Sequence, residues 1–154
     1  MCFLGVDIGG TSVRSLVTDA GGKILGYQRI ARVSHESLWQ AINDCLGTVL
    51  AQSSVVHVEA AVVGAAGAGP TGNHDVCQSV EKAFRAVGLD VTPQVVTDIE
   101  IAYWSAAVLG DGSILVAGTG AIAGRFSEWR CVDRRDGAGW LLGCLLYTSD
   151  AADD

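Results

Sequence analysis

The beginning of the chain alternates short apolar runs with glycine-containing turns, a pattern typical of β-strands joined by tight connections. The apolar runs are 2–8, 12–18 and 23–30, and the turns between them contain Gly9-Gly10 and Gly21-Gly22. We therefore predict that an antiparallel meander of three strands opens the fold.

After the meander the apolar positions change to a helical period. From Leu38 to Leu50 they recur at i, i+3 and i+4, which predicts an amphipathic helix with Ser34 or Ser37 as its N-cap. A second helix is predicted from Val76 to Val87 and is ended by Gly88.

The remaining apolar runs are short and predict strands, with one further short helix from Asp98 to about Leu109. These strands are predicted at 58–66, 94–97, 114–117 and 121–126, with another short one near 129–132. The predicted order is βββαβαβαββ, an α/β fold with a mixed sheet and helices on its faces. Ligands of such a sheet lie at the carboxyl ends of its strands.

Composition narrows the class of protein. The chain has 154 residues, 49% of them hydrophobic, which is enough for about one domain with a buried core. Charged residues make up 18% and the net charge is -7, which argues against disorder and against nucleic-acid binding.

The apolar runs are too short to cross a membrane, and Asp7 interrupts the first of them, so no signal peptide is predicted. We expect a soluble, cytoplasmic protein.

The five cysteines are scattered and show no CxxC spacing. Neither a zinc site nor a disulfide framework is therefore predicted. We expect reduced thiols that are mostly buried.

The final segment, 144–154, differs abruptly in composition from the chain before it. Back-translated, its sequence CLLYTSDAADD resembles a transposase adapter of short-read sequencing libraries, read in frame. The alternative is an ordinary frayed, acidic terminus. We favour the adapter and expect the natural sequence represented here to stop at Gly143.

The first candidate site is VDIGGTSVR, residues 6–14, in which a strand ends in an acid and turns through two glycines. Gly9 and Gly10 would let backbone N–H groups approach an anion closely, and Thr11 adds a hydroxyl donor. The alternative is a glycine hairpin in which Asp7 caps the turn.

A second strand–turn–strand motif, LVAGTGAIAGR, lies at 115–125. Taken alone, its Gly-Thr-Gly turn is weak evidence for a site and is better explained as a tight hairpin. Two glycine turns that face each other could instead grip a polyphosphate from both sides.

Asp98 follows the apolar run QVVT at the start of a predicted helix. A carboxylate there can serve as an N-cap. Beside a phosphate-binding turn, it can also accept the proton of an attacking hydroxyl, as phosphoryl transfer requires.

Together these motifs resemble the actin-like superfamily of sugar kinases and heat-shock ATPases, with 6–14 and 115–125 matching its two phosphate motifs. A narrower resemblance rests on VVTD at 95–98, ILVAGTG at 114–120 and DGAGWLLG at 136–143. These segments look like the N-acetylglucosamine kinase branch of the BadF/BadG/BcrA/BcrD ATPase family. The resemblance covers nearly all of residues 2–143.

The resemblance implies that 2–143 is an actin-like, ribonuclease H-like ATPase lobe, the N-terminal half of a two-lobed kinase. Such a kinase transfers the γ-phosphate of MgATP to a hydroxyl of an amino sugar. By position, Asp7 would hold Mg²⁺ through water and Asp98 would be the general base. The implied ATP contacts are Asp7, Gly9, Gly10, Thr11, Gly118, Thr119 and Gly120. The implied sugar contacts are Gly67, Asp98, Thr119, Gly137 and Gly139.

The resemblance leaves two other functions open. Some family members are ATP-driven activators of radical dehydratases or reductases and hold an iron–sulfur cluster with cysteines. A non-catalytic sugar-binding module is the third reading. Under the kinase reading we expect the 154-residue chain alone to be inactive, and the whole protein to form a homodimer.

Overall fold

A computed structural model describes residues 1–32, 37–66, 68, 74–117 and 121–136. Within these ranges the order is βββαβαβαβββ, the predicted order followed by β8, which corresponds to the short strand predicted near 129–132. The strands are β1 (Cys2–Ile8), β2 (Ser12–Asp19), β3 (Ile24–Ala31), β4 (Ala60–Ala65), β5 (Gln94–Thr97), β6 (Gly112–Ala117), β7 (Ala121–Ser127) and β8 (Arg130–Asp136). The helices are α1 (Leu38–Ser53), α2 (His74–Ala86) and α3 (Asp98–Ala106).

The chain divides into two compact units, Met1–Asp98 and Ile99–Asp154. The single lobe expected over 2–143 stays a prediction. Segment 144–154 lies outside the described residues. None of the described helices is both long enough and apolar enough to cross a membrane.

The first unit contains the predicted mixed sheet, with strand order β3-β2-β1-β4-β5. The meander β1–β3 is antiparallel, as its glycine turns predicted, and β1, β4 and β5 are parallel. Helix α1 packs on β2 and β3 and contacts α2. Burial of one face of this sheet against the helices forms the main core.

One buried polar contact ties the sheet to α1. The Ser15 hydroxyl is 3.2 Å from the carbonyl oxygen of Cys45, to which it donates, and 3.1 Å from the Cys45 sulfur. Burial raises the pKa of the Cys45 thiol. Cys2, Cys45, Cys77 and Cys131 are free thiols, and Cys45 is fully buried, but the other three are only half-buried. The expectation of mostly buried thiols is therefore wrong for those three.

Helix α1 begins after Ser37, so the second of the two predicted N-caps is correct. The Ser37 N–H donates to the Gln40 side chain at 3.3 Å, which completes a capping box. Gly47 is exposed in the middle of this helix, and a Cβ added there would meet no atom within 4 Å. Nothing in the packing of α1 therefore requires glycine at this position.

We predict that Gly47→Ala raises the free energy of unfolding by about 1 kcal/mol, because alanine loses less backbone entropy than glycine in a helix. Urea denaturation measures the change. Gly26→Ala on β3 is the contrasting control, since its Cβ would lie 3.0 Å from the Val49 carbonyl oxygen and should destabilise the fold. A Gly47→Ala variant less stable than the original chain would contradict the prediction.

The second unit contains an antiparallel sheet of order β6-β7-β8 with a small aromatic core. Tyr103 of α3 stacks on Phe126 of β7 with ring centroids 3.9 Å apart. The two residues between β7 and β8, Glu128 and Trp129, both have positive φ, 49° and 67°. Such a pair is typical of the tight turns whose twist matches an antiparallel hairpin.

Asp111 stabilises this turn, because its Oδ1 accepts a hydrogen bond from the Glu128 N–H at 2.8 Å. This hydrogen bond holds the pKa of the Asp111 carboxyl below its usual range. A carboxyl with a lowered pKa stabilises the folded state above its unfolded pKa, and the stabilisation is lost as the pH falls through the folded pKa.

We therefore predict that Asp111→Asn lowers the free energy of unfolding more at about pH 6 than at about pH 2.5. Chemical denaturation of both proteins at the two pH values measures the difference. An equal loss at both values would show that the charge of Asp111 does not contribute.

Candidate functional site

Two predicted site carboxylates lie at the same edge of the first sheet. Strands β1, β4 and β5 run parallel, so their carboxyl ends share that edge. Asp7 pairs with Gly64 of β4, which pairs with Val96 of β5, and Asp98 follows two residues beyond Val96. Strand spacing puts the axes of β1 and β5 about 10 Å apart. The structure thus brings Asp7 and Asp98 to one edge of the first unit.

The turn between β1 and β2 is closed by its own backbone. The Gly9 N–H donates to the Ser12 carbonyl at 2.9 Å, and the Arg32 N–H donates to the Thr11 carbonyl at 2.9 Å. The Gly9 amide is therefore used inside the turn, which removes it as a phosphate donor in this conformation. Among the described residues, the exposed amides of Gly10 and Thr11 have no hydrogen-bond partner.

Neither glycine of this turn is required by the fold of the described residues. The positive-φ glycines there are Gly22 and Gly88, so Gly9 and Gly10 have conformations open to other residues. A Cβ on Gly10 would meet nothing within 4 Å, and one on Gly9 would meet only the Ser12 carbonyl at 3.4 Å. Space above an unpartnered N–H group is what a closely approaching anion needs.

The hairpin alternative supposed that Asp7 caps the turn, but Asp7 makes a different contact. Its Oδ2 accepts a hydrogen bond from Arg14 Nη1 at 3.0 Å across the β1–β2 pair, and its side chain is 36% exposed. An exposed ion pair of this kind contributes no more than about 1 kcal/mol, so a competing cation can displace it.

The surroundings of Asp7 fit a hydrated magnesium ion better than a metal held by protein alone. No group of three His, Cys, Asp or Glu side chains within the described ranges could hold a metal. Mg²⁺ typically binds one or two carboxylates together with waters and substrate phosphates. A partly exposed carboxylate next to open amides matches that donor set.

Asp98 is the first residue of α3 and is exposed. The helix dipole stabilises a negative charge at a helix N-terminus. A structural role for Asp98 at the start of α3 is therefore compatible with the predicted role as general base. Glu100, two residues further along α3, is half-buried.

Six other predicted site residues lie outside the described residues: Gly67, Gly118, Thr119, Gly120, Gly137 and Gly139. Sequence reasoning gave no role to Arg14 or Arg32, although both contact the β1–β2 segment. The spacing of Arg14 from Asp7 around a two-glycine turn is a signal that could have identified their cross-strand pairing. Arg32 lies 23 residues from Gly9, and no local pattern marks that contact.

No model of a protein family matches the chain, and no curated protein does. Solved structures do match it. A candidate N-acetylglucosamine kinase from Porphyromonas gingivalis is 19% identical, with TM-score 0.72 over 92% of this chain and 50% of that one. A ROK family glucokinase from Streptomyces griseus, solved with glucose and AMPPNP, is 26% identical, with TM-score 0.60 over 90% and 49%.

A third match is component A of (R)-2-hydroxyglutaryl-CoA dehydratase from Acidaminococcus fermentans, 10% identical, with TM-score 0.55 over 88% of this chain and 46% of that one. The chain thus spans about half the length of the structures it resembles. The fold is consistent with the predicted actin-like ATPase lobe.

Proposed function

We propose that this chain provides the phosphate-binding turn and the general base of an ATP-dependent kinase that phosphorylates N-acetylglucosamine or a similar amino sugar. The observation that carries the proposal is the β1–β2 turn. It has two glycines that neither backbone conformation nor packing requires, and two open amides beside a partly exposed carboxylate. The likeness to sugar kinases gives the class of reaction.

In the proposed complex the amides of Gly10 and Thr11, with the Thr11 hydroxyl, donate hydrogen bonds to phosphate oxygens of ATP. Asp7 holds Mg²⁺ through water, and when bound there the ion neutralises charge on the phosphates. Fixed donors of this kind stabilise the negative charge that develops during transfer without having to reorganise.

Asp98 accepts the proton of a sugar hydroxyl while the hydroxyl oxygen forms a bond to the γ-phosphorus. The bond from that phosphorus to the bridging oxygen breaks, and ADP leaves with the bonding electrons. A carboxylate at the carboxyl edge of the same sheet as the phosphate turn supports this role, because a proton acceptor must lie near the attacking hydroxyl.

The alternative of a dehydratase activator receives less support. One structural match belongs to a dehydratase system. Over the described residues, however, the cysteines are separate free thiols and no metal-holding cluster of them exists. A sugar-binding module without turnover is distinguished from a kinase by whether added sugar increases ATP consumption.

Several further parts of the site remain proposals. Gly118, Thr119 and Gly120 are proposed to contact phosphates, and Gly67, Thr119, Gly137 and Gly139 to contact sugar. Because the chain covers about half of the kinases it resembles, we propose that further chain completes the enzyme. The proposal that 144–154 is adapter-derived rests on its sequence, CLLYTSDAADD. Cytoplasmic location and a homodimer stay predictions that rest on the sequence and its family resemblance alone.

Two experiments test this function. Sequencing the natural locus across the codon for Gly143, without the suspected adapter, establishes the complete protein. That protein, incubated with [γ-³²P]ATP and Mg²⁺, should transfer label to N-acetylglucosamine or a related amino sugar. Label transfer to none of the amino sugars or hexoses tested would contradict the proposal.

A further inference from the structure

Arg32, directly after β3, contacts the β1–β2 turn twice. Its N–H donates to the Thr11 carbonyl at 2.9 Å and extends the β2–β3 ladder by one residue. Its side chain reaches further, and Nη1 donates to the Gly9 carbonyl at 3.2 Å in a partly buried position. This side-chain hydrogen bond joins Arg32 to the Gly9 carbonyl, at the centre of the β1–β2 turn.

The Gly9 carbonyl shares a peptide unit with the Gly10 N–H. In a planar trans peptide these two groups point in opposite directions, and the described residues include no cis peptide. A donor fixed on the Gly9 carbonyl therefore fixes the direction of the Gly10 N–H. The peptide plane between two consecutive glycines rotates more easily than that between any other pair of residues. A donor on the Gly9 carbonyl is therefore needed to hold this plane in one orientation.

The charge of Arg32 also favours anion binding at this point. Arg14 is paired with Asp7, whereas Arg32 has no carboxylate partner among the described residues. A guanidinium on the carbonyl side polarises the peptide and strengthens its N–H as a donor. Four of its five N–H donors have no partner in the described part of the chain.

We propose that Arg32 is a positioning residue that locks the Gly9–Gly10 peptide so that the Gly10 N–H faces the nucleotide phosphates. The identity of the ligand rests on the proposed function. The hydrogen bond from Arg32 to the Gly9 carbonyl does not rest on that function, because it exists in the unliganded chain.

The lock is tested first without ligand, by ¹⁵N relaxation of the Gly10 amide. Arg32→Ala should lower its order parameter below about 0.6, the flexible range. Arg29→Ala is the matched control, because Arg29 is an exposed arginine of β3 whose side chain makes no bond to the turn. It should leave the order parameter as in the original chain. An unchanged Gly10 amide in Arg32→Ala would overturn the proposal.

Binding of a fluorescent ATP analogue with Mg²⁺ by the complete protein provides the second readout. Arg32→Ala should raise Kd about tenfold, Arg29→Ala less than about twofold, and Arg32→Lys, which keeps charge and donor, about threefold or less. Equal losses for Arg32→Ala and Arg29→Ala would assign the effect to overall charge and overturn the lock. A complete protein that binds no analogue would refute the proposed function, and the relaxation experiment would still decide whether Arg32 holds the Gly9–Gly10 peptide.

Discussion

Asp98→Asn in the complete enzyme is expected to lower kcat for sugar phosphorylation by about a hundred- to ten-thousandfold, the usual contribution of a general base. Asparagine keeps the shape of the side chain but cannot accept the hydroxyl proton. The fold should be unchanged, since asparagine is also well tolerated at a helix N-terminus. A radiometric transfer assay and circular dichroism measure the two effects.

The control for this variant is Asp90→Asn, which removes one exposed carboxylate from the same unit outside the proposed site. It should leave kcat unchanged. The KM for the sugar should change little in Asp98→Asn, because proton transfer belongs to the transition state. Sugar phosphorylation by Asp98→Asn within about tenfold of the original rate would contradict the assignment of the base.

Gly10→Ala is expected to raise the Kd for MgATP about a hundredfold, equivalent to about 2.8 kcal/mol of binding free energy. In the unliganded chain the added methyl group meets nothing within 4 Å, so the free energy of unfolding should hardly change. In the complex the methyl group would occupy the space into which a phosphate must move. The variant should therefore lose binding without losing stability.

Gly47→Ala is the matched control for this loss. It adds the same methyl group at another open glycine, on α1 and away from the turn. It should bind MgATP with unchanged Kd while gaining stability. If Gly10→Ala also bound MgATP normally, no phosphate would approach this turn closely.

The predictable part of the fold was local. The glycine turns predicted the meander β1–β3, and the spacing from Leu38 predicted α1 with Ser34 or Ser37 as its N-cap, of which Ser37 is correct. Asp98 could be placed because a polar residue that ends an apolar run is found at a strand end in an α/β fold. These features depend on neighbours along the chain, which a sequence displays directly.

The missed features depend on tertiary pairing. The separate sheet β6-β7-β8 was not predicted, because apolar runs specify strands but not which sheet they join. Arg134 and Arg135 belong to β8, because pairing with β7 extends this strand to Asp136, beyond the short strand predicted near 129–132. The contact from Arg32 to Gly9 requires the register of β2 and β3, which side-chain periodicity alone does not fix.

Binding of nucleotide phosphates by the β1–β2 turn can be measured by a ¹⁵N amide titration of the complete protein with MgATP. We expect the largest saturable shifts at Gly10 and Thr11, while the turn glycines Gly22 and Gly88 remain unchanged. Shifts that are absent at Gly10 and Thr11, or that are largest elsewhere, would contradict it.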